Sequence, residues 1–368
     1  MTGQGAPPER IRVVGTGLIG TSVGLAARAA GLEVLLHDTD PGRLAVAVAR
    51  GAGREAPGET ADLVVIAAPP SRTGALAADT LRHDVGAIVT HTCSVQTRPQ
   101  AHVESSGSSL KRFVGGHPIA GRERSGPESA AADLFRDRPW VVCPTTDTDA
   151  RAVEAVAGLA RACGAYPVRM SAEEHDRVFA RLSHVPQLVA SALAAALAEL
   201  APEEVALAGA GVRDTTRLAD SDPTLWAEIV AANPVAVAAG LRAAVHPLLR
   251  VAAALDDTTA GAEVEAAVAE LVARGREGRA LLPGKHGRAP TVWATVAVVI
   301  PDQPGALADL LAAVATHDVN LEDLRVDHAP GNAEGLAELA VAPGERDRLT
   351  EQLRASGWTV RSSADAEL

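Results

Sequence analysis

Cysteines and aromatic residues are scarce in this chain of 368 residues. Phenylalanine, tryptophan and tyrosine together make up 2% of it, so its cores must be built from small aliphatic side chains. The three cysteines, Cys93, Cys143 and Cys163, are scattered and form no C-x-x-C pair. This pattern argues against a disulfide framework and a cysteine metal site. It predicts reduced thiols in a cytoplasmic protein that holds no metal.

Basic blocks and long apolar runs are also missing. The chain has 34 basic and 46 acidic residues, a net charge of −12, and no basic stripe, so we expect no nucleic-acid partner. The longest apolar runs, such as residues 188–198, are too short to cross a bilayer, so we expect no membrane association. Residues 1–10 lack an apolar core and predict a flexible tail rather than a signal peptide.

Short β-branched runs alternate with alanine-rich helical stretches over residues 11–170. The runs are IRVVG, EVLLHD, DLVVIAAP, AIVTHT, WVVCP and YPVRM. They predict an α/β fold, a Rossmann-type doubly wound parallel sheet. Residues 171–283 predict an all-helical domain whose long apolar helices suit a dimer interface, and residues 284–290 predict a linker. Strands return in residues 291–368, which predict a small α+β module.

The first predicted strand leads into a phosphate-binding pattern. Three glycines form G-x-G-x-x-G directly after that strand, and an aspartate ends the second strand. The glycines allow a tight turn, close approach of a pyrophosphate and close helix packing, while the carboxylate accepts ribose hydroxyls and repels a 2′-phosphate. We therefore expect NAD rather than NADP; a tight turn without a ligand is the alternative. The predicted cofactor-binding residues are Gly15, Gly17, Leu18, Ile19, Gly20 and Asp38.

A histidine framed by glycines and a proline lies in the stretch FVGGHPIAGRERSG, residues 113–126. The pattern predicts a loop after a strand, which is where α/β folds place their chemistry. His117 titrates near neutrality and is suited to remove a hydroxyl proton while hydride leaves the same carbon. A surface histidine without a catalytic role is the alternative interpretation.

Two further polar segments lie in the helical region. HDRVFARLSHVPQ contains His175 and His184, whose separation of nine residues is not the i, i+4 spacing of a metal-binding helix. GVRDTTRLADSDPTLW supplies arginines, whose planar guanidinium grips a carboxylate at two points. From the residues alone, we favour solvated helix charges as the interpretation of both segments.

Taken together, these segments resemble the prephenate and arogenate dehydrogenases of tyrosine biosynthesis. GTGLIGTSVGLA, GGHPIAGRERSG, ARLSHVP and RDTTRLADSDPTLW are similar to that family's signatures in their order and spacing, and ADLFRDRPWVVCP is similar to a further family block. The resemblance covers residues 11–285. The tail, with PDQPGALADLLAAV and VNLEDLRV, is similar to ACT modules, the small regulatory domains that bind amino acids.

The resemblance implies an NAD-dependent oxidative decarboxylation of a cyclohexadienol. Hydride would leave the carbinol carbon, carbon dioxide would leave the ring, and the ring would become aromatic. His117 and Ser94 would bind the ring hydroxyl, with His117 drawing off its proton, while His184 and Arg217 would face the substrate carboxylates. The other substrate-binding positions implied are Glu123 and Asp214 at the site entrance, Gln187, and Trp226, which reaches across from the partner subunit.

The same resemblance implies assembly and regulation. We expect a homodimer, with an aromatic amino acid such as tyrosine as an effector of the tail module. Gly305, at the strand-to-helix turn of that module, and Asn320, before its next strand, would border the effector. A purely structural role of the module in assembly is the alternative.

Three positions depart from the family pattern. The usual D-x-x-S-x-K stretch is HTCSVQ here, so that His91 stands for the aspartate and Gln96 for the lysine. Gln187 stands where the family commonly has a histidine, one helical turn after His184. Because an amide pairs with either a keto or an ammonium group, the substrate stays open between prephenate, our first choice, and arogenate.

Two other functions compete with this interpretation. A β-hydroxyacid-type reductase shares the expected two-domain layout, but it needs a catalytic lysine in the helical region, and Lys111 and Lys285 lie outside that region. A non-catalytic NAD-binding sensor would work through the tail module alone. The retained His117, Ser94 and Arg217 argue against it.

Overall fold

The computed structural model describes residues 8–122, 124–256, 261–282, 293–328 and 333–361. Its contacts divide the chain into two compact units, Met1–Val264 and Glu265–Leu368. The first unit includes both the predicted nucleotide-binding domain and most of the predicted helical domain, and α6, the first helix after residue 170, packs on the sheet. The predicted linker lies outside the described residues. The three-domain division stays a prediction.

An eight-stranded sheet forms the centre of the first unit. Its strands are β1 (Arg10–Val14), β2 (Glu33–His37), β3 (Arg54–Glu55), β4 (Leu63–Ile66), β5 (Ile88–His91), β6 (Phe113–Pro118), β7 (Pro139–Pro144) and β8 (Tyr166–Arg169), in the order β3-β2-β1-β4-β5-β6-β7-β8. All six predicted β-branched runs are strands. The sequence analysis predicted that His117 lies in a loop after a strand. The residue instead lies within β6 itself.

The direction of the last two strands differs from the prediction. β7 pairs antiparallel with β6, and β8 pairs parallel with β7, so only the strands up to β6 run in one direction. The predicted all-parallel sheet is wrong at this edge. The reason is that the described residues of the connection from β6 to β7 contain no α-helix, only a short 3₁₀ turn at Pro127–Ser129, whereas a parallel pair is usually joined by a helical crossover.

Helices cover both faces of the sheet, as a doubly wound fold requires. They are α1 (Leu18–Ala29), α2 (Pro41–Ala49), α3 (Pro70–His83), α4 (Thr97–Ser105) and α5 (Ala150–Ala162). Alternate residues of β4 enter different cores: Leu63 and Val65 pack with the cluster around α1 and α5, and Val64 and Ile66 with the cluster around α3. All four side chains are fully buried, which is why the strand reads as a continuous apolar run.

The turn from β1 into α1 depends on two glycines. Gly15 has φ +99°, and a Cβ there would lie 2.3 Å from the Ala67 carbonyl oxygen. A Cβ on Gly20 would lie 1.9 Å from the carbonyl oxygen of Gly15, so α1 approaches the turn as closely as its backbone allows. Gly17 differs, because a Cβ there would meet nothing within 4 Å.

The rest of the first unit is helical, as predicted. Its helices are α6 (Ala172–Phe179), α7 (Val185–Leu197), α8 (Pro202–Val205), α9 (Ala210–Thr216), α10 (Pro223–Ala232) and α11 (Pro234–Asp256), and α12 (Gly261–Ala280) runs from the first unit into the second. A π-helical turn, Ala180–His184, joins α6 to α7. Pro186 follows it and has no N–H, so the i→i−4 ladder is interrupted where the turn widens.

The sequence analysis found no apolar run long enough to cross a bilayer. Among the described helices, one nevertheless has the length and apolar composition of a membrane span. α11 has 23 residues and a mean hydropathy of 1.4 in its most apolar window, with 11% of that window buried. Length and composition alone are weak grounds for a span. Arg242, His246 and Arg250 interrupt its apolar surface.

The second unit is a four-stranded antiparallel sheet with helices. β9 (Ala294–Pro301), α13 (Ala306–Ala315), β10 (Asp323–His328), β11 (Glu334–Val341), α14 (Arg346–Ala355) and β12 (Thr359–Val360) follow one another, and the strand order is β10-β11-β9-β12. Leu310, Leu339, Leu349 and Leu353 are among its fully buried side chains. The predicted small α+β module is thus present, with one more strand-helix-strand repeat than the sequence analysis had recognised.

The two glycine environments predict opposite results of the same substitution. Gly20→Ala forces a methyl group into backbone and should lower the unfolding free energy by about 1–3 kcal/mol or more. Gly17→Ala should leave stability within about 0.5 kcal/mol, because its φ of −71° suits alanine and the space is open. Urea unfolding of the two variants checks this, and equal destabilisation would contradict it.

Candidate active site

The glycine turn and the second strand build a cleft for a dinucleotide. The Asp38 carboxylate accepts hydrogen bonds from the Thr16 backbone N–H at 2.5 Å, from the Thr16 hydroxyl at 2.8 Å and from the Asp40 N–H at 2.8 Å. Burial alone would raise the pKa of Asp38, but these hydrogen bonds outweigh it and lower the pKa. Asp38 is therefore a carboxylate, partly exposed at the end of β2, where a ribose is bound in this fold.

The same turn fits the phosphates of NAD. No side chain caps the N-terminus of α1, so its first N–H groups have no side-chain acceptor and are available to a phosphate. The open space at Gly17 lets a pyrophosphate reach this backbone. Leu18 and Ile19 form the first turn of the helix, and Ile19 packs against the core. The residues present fit the cofactor predicted from the sequence.

A loop after β5 carries Ser94. It is tied to β6 by Gln96, whose Nε2 donates to the Cys93 carbonyl oxygen at 2.8 Å and to the Gly116 carbonyl oxygen at 3.3 Å. The Ser94 side chain is partly exposed, and no hydrogen bond is recorded for its hydroxyl within the described part of the chain. The serine predicted to bind the ring hydroxyl is thus held next to the strand that carries His117.

Two of the three residues that depart from the family pattern lie beneath this loop. His91 and Gln96 are both buried, and His91 Nδ1 accepts from the Cys93 N–H at 3.2 Å. Within the described residues, His91 Nε2, Gln96 Oε1 and the nearby Thr90 Oγ1 and Trp140 Nε1 have no protein partner. Burial lowers the pKa of His91 to about 3, so a neutral imidazole and an amide occupy the place of two charged groups.

Two side chains, His175 and Asp176, support His117 through consecutive hydrogen bonds. Its Nδ1 lies 2.8 Å from His175 Nε2, and His175 Nδ1 lies 2.8 Å from Asp176 Oδ1. Phe179 stacks on His175 with ring centroids 4.4 Å apart and lies 5.1 Å from the His117 ring. His175 and Asp176 are buried, with 0% and 3% of their surface exposed, so the interpretation of this segment as solvated helix charge is wrong for both.

Asp176 also closes the N-terminus of α4. Its carboxylate accepts from the backbone N–H groups of Gln96 at 2.8 Å and Thr97 at 2.9 Å, and from the Thr97 hydroxyl. A helix N-terminus favours negative charge. Burial would raise the pKa of Asp176, but the hydrogen bonds from His175, Thr97 and Gln96 outweigh burial and lower it.

The ionised Asp176 fixes the direction of the hydrogen bonds. A carboxylate only accepts, so His175 donates from Nδ1, and its Nε2 accepts from the Nδ1–H of His117. The lone pair of His117 then lies on Nε2. Burial, together with the neighbouring histidines, lowers the pKa of His117 well below its ordinary value, which keeps this lone pair available at neutral pH.

His184 and Trp226 lie on the helical side of the site. The π-helical turn ends at His184, which is 1% exposed, and burial lowers the pKa of this histidine to about 4. Trp226 meets it edge-on at 6.2 Å between ring centroids and packs with Cys93 and Val95, on either side of Ser94. The tryptophan expected from a partner subunit is thus placed against the serine loop of its own chain.

The remaining predicted residues lie further out or cannot be placed. Asp214 lies in α9 and Arg217 begins a 3₁₀ turn that follows it; both are exposed. Gln187 is buried in α7 and hydrogen-bonds to that turn. Glu123 falls outside the described residues. In the second unit, Gly305 has φ +97° before α13, and Asn320 donates to Glu322 Oε1 at 2.7 Å.

Sequence reasoning missed His175, Asp176 and Thr97 as parts of the site. The available signal was the pair His-Asp on the buried face of α6, seen against a helix pattern of otherwise exposed charges. Its meaning depends on β6 and α4, which are distant in sequence.

Comparison with known families decides the assignment. Residues 23–168 match the nucleotide-binding domain of prephenate dehydrogenase, and residues 171–262 match the dimerization domain of prephenate dehydrogenase. The chain belongs to the prephenate dehydrogenase family. It is an NAD-dependent oxidoreductase with a Rossmann-like nucleotide-binding domain, as predicted. This membership favours the predicted enzyme over the β-hydroxyacid-type reductase and the non-catalytic sensor.

Individual relatives support the family assignment. The chain is similar to a probable prephenate dehydrogenase, NovF, of Streptomyces niveus, with 34% identity over 361 residues, or 95% of this chain and 99% of NovF. The structure is similar to that of Aquifex aeolicus prephenate dehydrogenase in complex with hydroxyphenyl propionate and NAD⁺, with 28% identity, a TM-score of 0.65, and coverage of 73% of this chain and 98% of that one. Synechocystis arogenate dehydrogenase is also similar, with 25% identity, a TM-score of 0.61 and coverage of 73% and 98%.

Acid should destabilise this fold through its buried neutral histidines. Burial lowers the pKa of His91 to about 3 and of His184 to about 4, from an ordinary value of 6.5. Below pH 6.5 the unfolded chain therefore binds more protons, and the free energy of unfolding should fall by up to about 1.4 kcal/mol per pH unit for each histidine. The fall should continue to about pH 4 for His184 and about pH 3 for His91.

Urea unfolding between about pH 7 and 4.5 measures this slope. His91→Gln should reduce the slope by up to about 1.4 kcal/mol per pH unit, the contribution of one proton, because the variant has no imidazole to charge in the unfolded state. His83→Gln, which removes an exposed histidine, is the matched control for the loss of one imidazole. An unchanged slope in His91→Gln would contradict the assignment of a neutral buried histidine.

Proposed function

We propose that the protein catalyses the NAD-dependent oxidative decarboxylation of prephenate to 4-hydroxyphenylpyruvate in tyrosine biosynthesis. The observation that carries this proposal is the hydrogen-bonded chain from Asp176 through His175 to His117. It places an unprotonated ring nitrogen at the end of β6, beside the Ser94 loop. A base of this kind is what the oxidation of a ring hydroxyl requires.

His117 takes the hydroxyl proton of the substrate on Nε2. As the O–H electrons form a C=O bond, hydride would leave the same carbon; NAD, held by the glycine turn and Asp38, would supply the hydride acceptor. The bond from the ring to its carboxylate then breaks, and its electron pair flows through the ring to the oxygen. That oxygen regains a proton as a phenol, so His117 returns what it took and the reaction releases carbon dioxide with no net proton.

Ser94 donates to the same oxygen and holds it facing His117. Arg217 and His184 bind the two carboxylates of the substrate, and Asp214, Gln187 and Glu123 belong to the surrounding pocket. Support for the roles of His184 and Ser94 comes from Trp226, which contacts His184 and packs with Cys93 and Val95, the residues on either side of Ser94. His175 and Asp176 act through His117 and are positioning residues.

Asp38 sets the preference for NAD over NADP. Its carboxylate accepts ribose hydroxyls and repels a 2′-phosphate, since hydrogen bonds from Thr16 and Asp40 keep it ionised. The similarity to the Aquifex aeolicus enzyme, which was solved with NAD⁺, supports the same cofactor.

Arogenate is the second candidate substrate. It differs from prephenate in carrying an ammonium group where prephenate has a keto group. The similarity to Synechocystis arogenate dehydrogenase supports it.

A homodimer fits the exposed apolar surface of the helical region. Val235, Leu248, Leu249 and Leu255 of α11 are exposed, and α11 lies within residues 171–262, which match a dimerization domain. Burial of this surface in a dimer removes the need for a membrane to cover it. We also propose that the protein works in the cytoplasm.

The second unit is proposed to be a regulatory ACT-like domain. Its two β-α-β repeats and antiparallel order, β10-β11-β9-β12, are compatible with that fold. An aromatic amino acid, tyrosine first, would bind near Gly305 and Asn320 and lower activity. Tyrosine added to a turnover assay of the full chain tests this.

Loss of the Asp176 charge should remove the base without removing a side chain from the substrate pocket. In Asp176→Asn the amide can donate to His175, which reverses the hydrogen bonds and places the proton of His117 on Nε2. We expect kcat to fall by about two to four orders of magnitude, as in His117→Ala, with NAD affinity within about twofold. Thr97→Val, which removes one bond to the same carboxylate, is the control and should cost less than about tenfold. Near-normal kcat in Asp176→Asn would contradict the assignment.

Turnover decides between the candidate substrates. Purified protein is assayed with prephenate and with arogenate, each with NAD and NADP, by the absorbance of the reduced cofactor. We expect the highest kcat/KM with prephenate and NAD. Higher kcat/KM with arogenate would support the second candidate, and no turnover with either acid would overturn the proposal.

A further inference from the structure

The segment that carries Arg217 is poorly anchored by apolar contacts. Between residues 201 and 228 no residue is buried, and α9 has no buried side chain. Leu218, the apolar residue next to the arginine, is 38% exposed. Hydrophobic packing therefore does little to fix the place of this segment, and its position must depend on polar links.

Gln187 supplies such a link from the buried face of α7. Its Nε2 donates to the Leu218 carbonyl oxygen at 2.7 Å and to Ser191 Oγ at 3.3 Å. Ser221 Oγ donates to the same Leu218 carbonyl oxygen at 2.8 Å and lies 3.4 Å from Gln187 Oε1. Gln187 and Ser221 thus converge on one carbonyl, in the middle of the 3₁₀ turn Arg217–Ala219.

We propose that Gln187 is a positioning residue that holds the Arg217 turn against α7. This rests on the proposed function, in which Arg217 binds a substrate carboxylate. Gln187 is 5% exposed, and its amide protons are already donated to protein acceptors. It therefore acts on substrate affinity through the arginine, equally for prephenate and arogenate, rather than by reading the group in which the two acids differ.

An amide suits this place for a physical reason. It presents two N–H donors on a planar group, and both are used here, one toward the Leu218 carbonyl oxygen and one toward Ser191 Oγ. A neutral imidazole has one N–H, so a histidine at position 187 serves either the turn or another acceptor, not both. Methionine has similar length and no N–H, and it would leave the Leu218 carbonyl oxygen to Ser221 alone.

Hydrogen–deuterium exchange of the full-length protein without ligands tests the anchor directly. Gln187→Met should raise deuterium uptake in peptides covering residues 208–222. Gln187→Glu keeps the shape of the side chain but cannot donate when ionised, so it should also raise deuterium uptake in these peptides. This second variant keeps the test decisive if Gln187→Met fails to fold. Ser191→Ala removes the longer contact and leaves the Leu218 bond, so it is the matched control and should exchange as the wild type does.

Steady-state kinetics then separates positioning from recognition. In Gln187→Met we expect KM to rise by about tenfold for both acids, by the same factor, with kcat retained within about threefold. Unchanged uptake overturns the proposal, as does raised uptake with unchanged KM. A change in the ratio of kcat/KM between the acids without a change in uptake also overturns it, because Gln187 would then read the substrate.

The failure of the proposed function gives a different result. If Arg217→Ala leaves KM unchanged for both acids, or if the wild type turns over neither, the role of Arg217 is wrong. The exchange measurement still reports whether Gln187 holds the turn, because it needs no substrate.

Discussion

The buried carboxylate of Asp176 is the interaction on which the site depends. It accepts hydrogen bonds from the start of α4 and from His175, and its own backbone carbonyl accepts from Asn233 Nδ2 at 2.7 Å. These contacts join the Ser94 loop, the His117 strand and the α10–α11 junction at one residue. An unpaired charge at this depth would be costly, but here backbone N–H groups at a helix N-terminus satisfy it. Asp176, which orients His117, therefore also links the sheet and the helices of the first unit.

The cofactor half of the site could be predicted from the sequence because its physics is local. Gly15, Gly17, Gly20 and Asp38 act within one strand-turn-helix-strand unit, and their spacing alone fixes their geometry. The chemical half could not be predicted in the same way. In the sequence, His175 and Asp176 belong to a charged helical segment and resemble surface charges. Only the packing of β6 and α4 against α6 shows that both are buried. Resemblance to a family supplied His117 and Ser94, but not the residues that set the protonation of His117.

The sheet shows the same limit. Strand positions follow from apolar runs, and all six predicted runs are strands. Strand direction depends on the connection, and the stretch between β6 and β7 contains no helical signal that would have indicated a crossover. The reversal at β7 was thus in principle accessible from the absence of a helix pattern between residues 119 and 138.

His91 and Gln96 show how the chain accommodates a change of charge beneath its site. The family resemblance leads one to expect an aspartate and a lysine there, and a buried ion pair of that kind must recover a large desolvation cost. A neutral pair avoids this cost and keeps the hydrogen bonds from Gln96 to Cys93 and Gly116. Among the described residues, the remaining penalty at this place is that His91 Nε2 and Gln96 Oε1 are buried without a protein partner.

The π-helical turn at Ala180–His184 has a consequence for the rotational phase of the helices on either side. In an uninterrupted α-helix each residue turns by about 100°, so His175 and His184 would point in opposite directions. One additional residue in the turn reduces this difference from about 180° to about 80°, which brings the two imidazoles closer in direction. Deleting a single residue here would rotate all of α7 by about 100° relative to α6. His184 and Gln187 would then leave the site together, although neither had been changed.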